Sequence, residues 1–208
     1  MTRLSSNGSD DPINKRNQRR LHGLIDTLFN DYSKLLVVRL DFYIQKDYEL
    51  INTYDYMNEA FDRIRNNLRS NRLFEHYITY AARLEYGTSR KWHYHVLFFF
   101  DGQRVRDDYG LAKAIGEYWV KVITRRLGNY NSPNMNKHKY RRVGVGMIDY
   151  RDEKKIECLK NDVAKYLVKL DVSGSGASRR RAYRQGQYRP KQGRLGRPRE
   201  VDYPDAYA

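Results

Sequence analysis

Two histidines one residue apart, in Trp92-His93-Tyr94-His95-Val96, sit inside a run of aromatic and aliphatic residues. Side chains at i and i+2 leave an extended strand on the same face, so His93 and His95 point the same way. Two imidazoles side by side on a rigid strand can supply two ligands to a divalent ion. The competing reading is a pair of half-buried histidines hydrogen-bonded to their neighbours, and spacing alone does not choose between them. Glu85 precedes the short connection Gly87-Thr88-Ser89-Arg90-Lys91. If the segments on either side pair, its carboxylate comes within reach of both imidazoles. One carboxylate and two imidazoles make a mixed N/O site suited to Mn²⁺ or Mg²⁺, with imidazole favouring Mn²⁺. The plainer reading of Glu85 is an exposed strand residue paired with Arg83 or Arg90.

A nucleophile is harder to find. Tyr166 and Lys169 lie three residues apart, on nearly the same side of a helix. An ammonium group beside a phenol favours the phenolate. The chain has 19 tyrosines, however, and the same spacing recurs at Tyr43/Lys46, Tyr118/Lys121 and Tyr188/Lys191. The local motif therefore leaves Tyr118 and Tyr166 as rivals.

The elements that must position these residues follow from periodicity. Residues 12–30 carry Leu21, Leu24, Ile25 and Leu28 on one helical stripe. Strands are expected at 35–43, 77–86 and 92–100, the last two forming a hairpin, with another at 140–150. Helices are expected at 53–70 with Thr53 as N-cap, at 107–128 ending on a Gly128 C-cap, and at 152–171. On the last helix Tyr166 joins Ile156, Leu159, Val163, Leu167 and Leu170 on a stripe facing the sheet. Residues 129–139 read as an Asn/Pro-rich loop. After the first helix the order is β–α–β–β–α–β–α, which closes into an α+β fold with a ferredoxin-like antiparallel sheet.

Forty Lys and Arg against 25 Asp and Glu give 208 residues a net charge of +15. A single cysteine, Cys158, excludes a disulfide framework and a Cys-based zinc module. No apolar run reaches the length of a membrane span, and residues 1–11 lack the apolar core of a secretory signal, so a soluble, cytoplasmic protein is expected. The charge divides the chain into three: a basic arm and helix over 1–32, a domain over 33–172, and a basic tail over 173–208. The tail holds nine Arg and Lys against Glu200, Asp202 and Asp205. It shows no apolar periodicity and reads as a disordered arm that tracks phosphates. Arg179, Arg180, Arg181, Arg184, Arg189, Lys191 and Arg194 are its candidate DNA contacts, with Tyr183 and Tyr188 able to stack on bases.

The strand LVVRLDFY, the segments RLEYG and HYHVLFFFDG, and AKYLVKLD at 164–171 together resemble the HUH endonucleases. These are the metal-dependent enzymes that nick single-stranded DNA to start rolling-circle replication. Within them the chain is most similar to inovirus gene-II-type replication proteins and to prophage-encoded relatives with a YagK/YfjJ-type C-terminal domain, over about residues 33–172. The resemblance implies the HUH fold, metal ligands at His93, His95 and Glu85, and Tyr166 as nucleophile with Lys169 beside it. It is the order of the three motifs that favours Tyr166 over Tyr118.

On that resemblance the chain is a sequence-specific single-strand endonuclease and ligase acting on a phage, prophage or plasmid origin. A covalent 5′-phosphotyrosine forms, leaving a 3′-OH for a polymerase. No GxxxxGK[ST] loop is present, so unwinding would fall to a host helicase. The positions four residues from Tyr166 are Asp162 and Leu170, so the helix carries a single tyrosine of this kind. Two alternatives stand beside this one: a non-catalytic protein binding single-stranded DNA or RNA, and a degenerate prophage remnant that keeps an HUH-like fold. Single-strand transposases share the same core.

Overall fold

The computed structural model describes residues 12–170 and 182–191. Helix α1 (Lys15–Asp31) is capped by the Asn14 side chain and buries Leu21, Leu24, Ile25 and Leu28, the stripe that the sequence shows. It is followed by β1 (Lys34–Ile44), α2 (Tyr54–Asn67), β2 (Tyr77–Gly87) and β3 (Lys91–Asp101). Then come α3 (Asp108–Tyr118), β4 (Gly128–Asn131), β5 (Gly146–Asp149), α4 (Glu153–Cys158) and β6 (Tyr183–Gln185).

The fold is α+β: a six-stranded antiparallel sheet with helices on both faces. The strands run β4-β1-β3-β2-β6, and β5 pairs with the other half of the same β1 edge that takes β4. The core order, with β3 between β1 and β2, is compatible with a ferredoxin-like arrangement. Alternation along three long strands creates two different faces. One presents Leu36, Val38, Leu40 and Phe42 of β1 with Tyr94, Val96, Phe98 and Phe100 of β3, and is covered by α2 and α3. The other presents Leu35, Val37, Ala81, Leu97 and Phe99 against α1 and the segment 159–168. Each such buried side chain contributes roughly 1.5–3 kcal/mol, so the apolar part of this second face accounts for its packing. Further along the same strands, the same face turns polar.

Several expected elements differ. The last helix is not continuous: α4 passes into a π-helical turn, Leu159–Val163, and then a 3₁₀ turn, Ala164–Leu167. This widening to π and narrowing to 3₁₀ changes the angular step per residue, so that Leu159, Val163, Ala164 and Leu167 are buried while Tyr166 and Leu170 are 42% and 43% exposed. Tyr166 is thus no core residue of a stripe. The helix expected over 107–128 ends earlier, in a π-helical turn, Trp119–Ile123, and the left-handed residues are Arg125 and Arg126 rather than Gly128. Gly128 instead starts β4, where a Cβ would stand 2.5 Å from both the Trp119 indole nitrogen and the Thr124 hydroxyl. Only 146–149 of the expected strand 140–150 is extended and paired. The tail is also corrected in part: residues 183–185 add β6 to the β2 edge, Tyr183 is buried, and the Tyr188 hydroxyl donates to Asp31 at 2.6 Å. The edge of β2 and the apolar cluster that includes the α1 leucines give this segment something to pair and pack with, which residue-by-residue periodicity over three positions could not reveal.

Candidate functional site

The polar end of the second sheet face is built by register. Glu85 of β2 pairs with His93 of β3, while His95 is flanked by Arg83 on one side and Asp41 of β1 on the other. All alternate onto one face, next to the apolar Leu97, Phe99 and Ala81. His93, His95, Asp41, Arg39 and Arg83 are all buried. Burying so many charged and polar groups opposes folding unless they satisfy one another, a pattern typical of sites kept for chemistry.

One ligand atom from each of Glu85, His93 and His95 lies within 4.8 Å of the others. The partners of the imidazoles fix which nitrogens face inward. A carbonyl can only accept, so His93 Nδ1 donates to the Lys91 carbonyl at 2.9 Å. A carboxylate can only accept, so His95 Nδ1 donates to Asp41 Oδ1 at 2.6 Å. His95 Nε2 is thereby turned toward Glu85, whose Oε2 lies 3.3 Å away, and His93 keeps its Nε2 as the nitrogen with a lone pair to offer. An imidazole whose outer N–H is held by a carboxylate or carbonyl is the usual support of a metal-binding histidine. The donor set of two imidazole nitrogens and a carboxylate fits a divalent ion such as Mn²⁺.

The charges agree with the geometry. Burial favours the neutral His95 ring, but Asp41 and then Glu85 outweigh it and hold its pKa above the ordinary value. Burial likewise opposes ionisation of Glu85, yet the hydrogen bond and charge of His95 bring it down to about 2. Asp41 is held well below the usual carboxylate range: burial is overcome by His95, Arg39 and Arg90. Burial and then the neighbouring His95 lower His93. Asp41 and Glu85 thus face the rings as carboxylates, an arrangement that favours positive charge at the site.

The 3₁₀ turn brings Tyr166 over this cluster, with its ring 6.2 Å from that of His95. The Arg39 guanidinium lies 4.4 Å from the Tyr166 ring centroid and the Lys169 ammonium 4.9 Å. Among the four Tyr-x-x-Lys pairs this is the one whose ring meets an imidazole of the cluster. Tyr118 packs on the opposite side of the sheet, against Phe74. Tyr188 is bound to Asp31, and Tyr43 lies under Arg90. A cavity of about 480 Å³ opens beside Tyr166, and Arg39, Asp41, His95, Tyr140 and Lys169 are among its walls.

Arg39 and Asp41 of β1 are two further residues of the site. They interact with each other, at 3.5 Å, and each also reaches the site. The Arg39 backbone is held in turn by residues expected to be mere loop. The Asn134 side chain accepts the Arg39 N–H at 2.8 Å and donates to the Val37 carbonyl at 2.9 Å, while the Ser132 hydroxyl donates to the Arg39 carbonyl at 2.7 Å. These side chains stand in for a strand between β4 and β5. The i, i+2 relation of Arg39 and Asp41, matching that of the two histidines, was the signal available for them. Of the candidate DNA contacts, Arg184 is bound to Asp62 and Asn58, Lys191 lies over Tyr32, and Arg189 is exposed. Arg179, Arg180, Arg181 and Arg194 lie outside the described residues.

Among the described residues, no helix is long and apolar enough to cross a membrane. Neither the curated proteins nor the solved structures contain a match to the chain. The model of one family does match, over residues 8–184, a span that takes in α1, the whole polar face, Tyr166 and the start of β6. Its reach from before α1 into β6 agrees with a single unit in which α1 covers the sheet that β6 extends, and by that match the chain belongs to the prophage-associated YagK/YfjJ C-terminal domain family.

Proposed function

We propose that this protein is a metal-dependent enzyme that nicks and rejoins single-stranded DNA through Tyr166, and that it starts rolling-circle replication of a phage, prophage or plasmid element. The observation that carries this reading is the position of Tyr166: a half-exposed phenol above the cluster of Glu85, His93 and His95 and between two cations. A protein that only bound nucleic acid would have no use for two buried histidines with oriented outer N–H groups beside a carboxylate.

Glu85, His93 Nε2 and His95 Nε2 would hold the ion, with Asp41 and the Lys91 carbonyl fixing the two rings. When bound, the ion supplies positive charge against a non-bridging phosphate oxygen. Tyr166, from its half-exposed position, gives its phenolic proton to solvent, and its oxygen forms a bond to phosphorus. The bond from phosphorus to the 3′ oxygen breaks, and that oxygen takes up a proton to become a free 3′-OH. A 5′-phosphotyrosine remains, and attack by a 3′-OH reverses the step and rejoins the strand. Lys169 and Arg39 offset the negative charge that gathers on the phosphate and the phenolate. A host polymerase would extend the 3′-OH and a host helicase would open the duplex.

The test is to incubate the protein with labelled single-stranded oligonucleotides of candidate origins and Mn²⁺, and to look for a covalent adduct. A nucleotide on the peptide containing Tyr166, lost with a chelator, is the expected result. Binding without any adduct on any origin of the encoding element would leave a DNA-binding protein instead.

A further inference from the structure

A second and larger cavity, about 760 Å³, lies on the β2 edge of the sheet, between α1, β6 and the segment after Tyr166. Six cations line it: Arg16, Arg20, Arg65, Arg83, Lys169 and Arg184. No Asp or Glu is among its walls. Asp62, just outside, binds both Arg65 and Arg184 and so holds two of the guanidinium groups in place while offsetting only part of the charge. Arg16 and Arg20 are exposed on α1, one turn apart on the same side of the helix. The aromatic residues of the lining, Tyr80 and Tyr183, are 5% and 7% exposed and offer no stacking platform. Such a lining selects a ligand by its negative charges and not by apolar surface.

The cavity is joined to the candidate site. Lys169 lines both cavities. The buried Arg83 guanidinium, opposite His95 in the ladder, donates to the Lys169 carbonyl. The start of α1 is stitched to the same segment, with Asn14 N–H donating to the Val168 carbonyl at 2.7 Å and Leu170 N–H to the Pro12 carbonyl at 2.6 Å. These contacts hold the cations of α1 at a fixed distance from Tyr166.

We infer that this cleft is a binding site for the phosphates of a single-stranded nucleic acid, gripping the substrate strand to one side of Tyr166. The inference rests on the single-strand reading of the site but not on its chemistry. It makes α1 and β6, which lie at the two ends of the chain, parts of one binding wall, and it assigns Arg184 a place there that depends on the sheet.

The experiment measures binding of a labelled oligothymidine, longer than the roughly 4–16 nucleotides that a single-strand groove covers, in the presence of chelator. Arg16→Glu/Arg20→Glu should weaken it at least about tenfold and lower the slope of log affinity against log salt by about 1.4, as expected for two lost phosphate contacts. Arg16→Gln/Arg20→Gln should show the same change at smaller size, and circular dichroism checks the fold of both. Lys15→Glu/Arg19→Glu is the control: it changes the charge of the same helix equally, at positions that do not line the cavity. An equal loss in the control, or none in Arg16→Glu/Arg20→Glu, overturns the cleft. Tighter binding of a duplex of the same length, with the loss confined to it, overturns the single-strand assignment. Adduct formation at Tyr166 is scored separately. An adduct with an indifferent cleft keeps the nicking reading alone, and cleft-dependent binding without an adduct keeps the cleft alone.

Discussion

Asp41 on β1 accepts the Nδ1–H of His95 on β3 at 2.6 Å, across a register that pairs the two residues directly. The same carboxylate faces Arg39 at 3.5 Å and Arg90 at 3.6 Å, so one buried group orients a candidate metal ligand and balances two guanidinium groups. Asp41→Asn keeps the shape and removes the charge. Mn²⁺ affinity, measured by isothermal titration, should fall about 10–100-fold, the usual cost of losing such a support. Unchanged affinity would reduce Asp41 to a structural partner of the arginines.

His93→Ala and His95→Ala should each abolish cleavage while leaving DNA affinity within a few-fold, because affinity comes mainly from phosphate contacts. Glu85→Ala should lose less, with activity partly restored at high Mn²⁺, since two imidazoles remain. Cleavage that is indifferent to both the histidine changes and a chelator would remove the metal from the account.

Tyr166→Phe removes a hydroxyl from a half-exposed ring and should change stability by less than about 0.5 kcal/mol. It should bind single-stranded DNA as the parent does and form no covalent adduct. Tyr118→Phe, on the far face of the sheet, should still form it. Mass spectrometry locating the nucleotide on the Tyr118 peptide would reverse the assignment.

Ending the chain after residue 172 removes a strand from the sheet and the buried Tyr183 ring. The melting temperature should drop by several degrees or more, and Tyr183→Ala alone should cost about 3 kcal/mol in denaturant unfolding. A truncated protein that melts like the full chain would mean that β6 adds nothing to stability.

The Cys158 thiol is buried, and burial, followed by the nearby Asp162, pushes it up to about 11. The folded state therefore keeps the proton over a range where the unfolded chain releases it. Stability from this group is complete below the ordinary thiol pKa and is lost as pH rises through the folded value. Native protein should resist thiol alkylation at pH near 8, where the unfolded chain reacts. Rapid native labelling would show that the α4 region opens.

Much of the scaffold is local and so legible in the chain. The stripe of Leu21, Leu24, Ile25 and Leu28, the Thr53 cap, the GTSRK hairpin and the i, i+2 histidines each depend on residues within a few positions of one another. Alternation alone put His93 and His95 on one face, and hairpin pairing set Glu85 opposite His93. Where the sequence misjudged an element, the cause was a contact it could not display. Tyr166 left its apolar stripe because the backbone widens from α to π and then narrows to 3₁₀ over 153–167. The segment 182–191 found a partner in an open strand edge.

Composition, periodicity and spacing determined the fold class, the strands that carry the cluster, and a short list of rival tyrosines. Only the tertiary structure separated them in space, because which face of the sheet a helix covers depends on chain crossings that no local pattern encodes. It placed Tyr118 on one face and Tyr166 on the other, set Asp41 behind His95 through the β1–β3 register, and turned Asn134 and Ser132 into a substitute for a strand. It also brought residues near the two ends of the chain together around one basic cleft. Short-range sequence fixes what a residue can do, and the long-range pairing of strands fixes what it does it to.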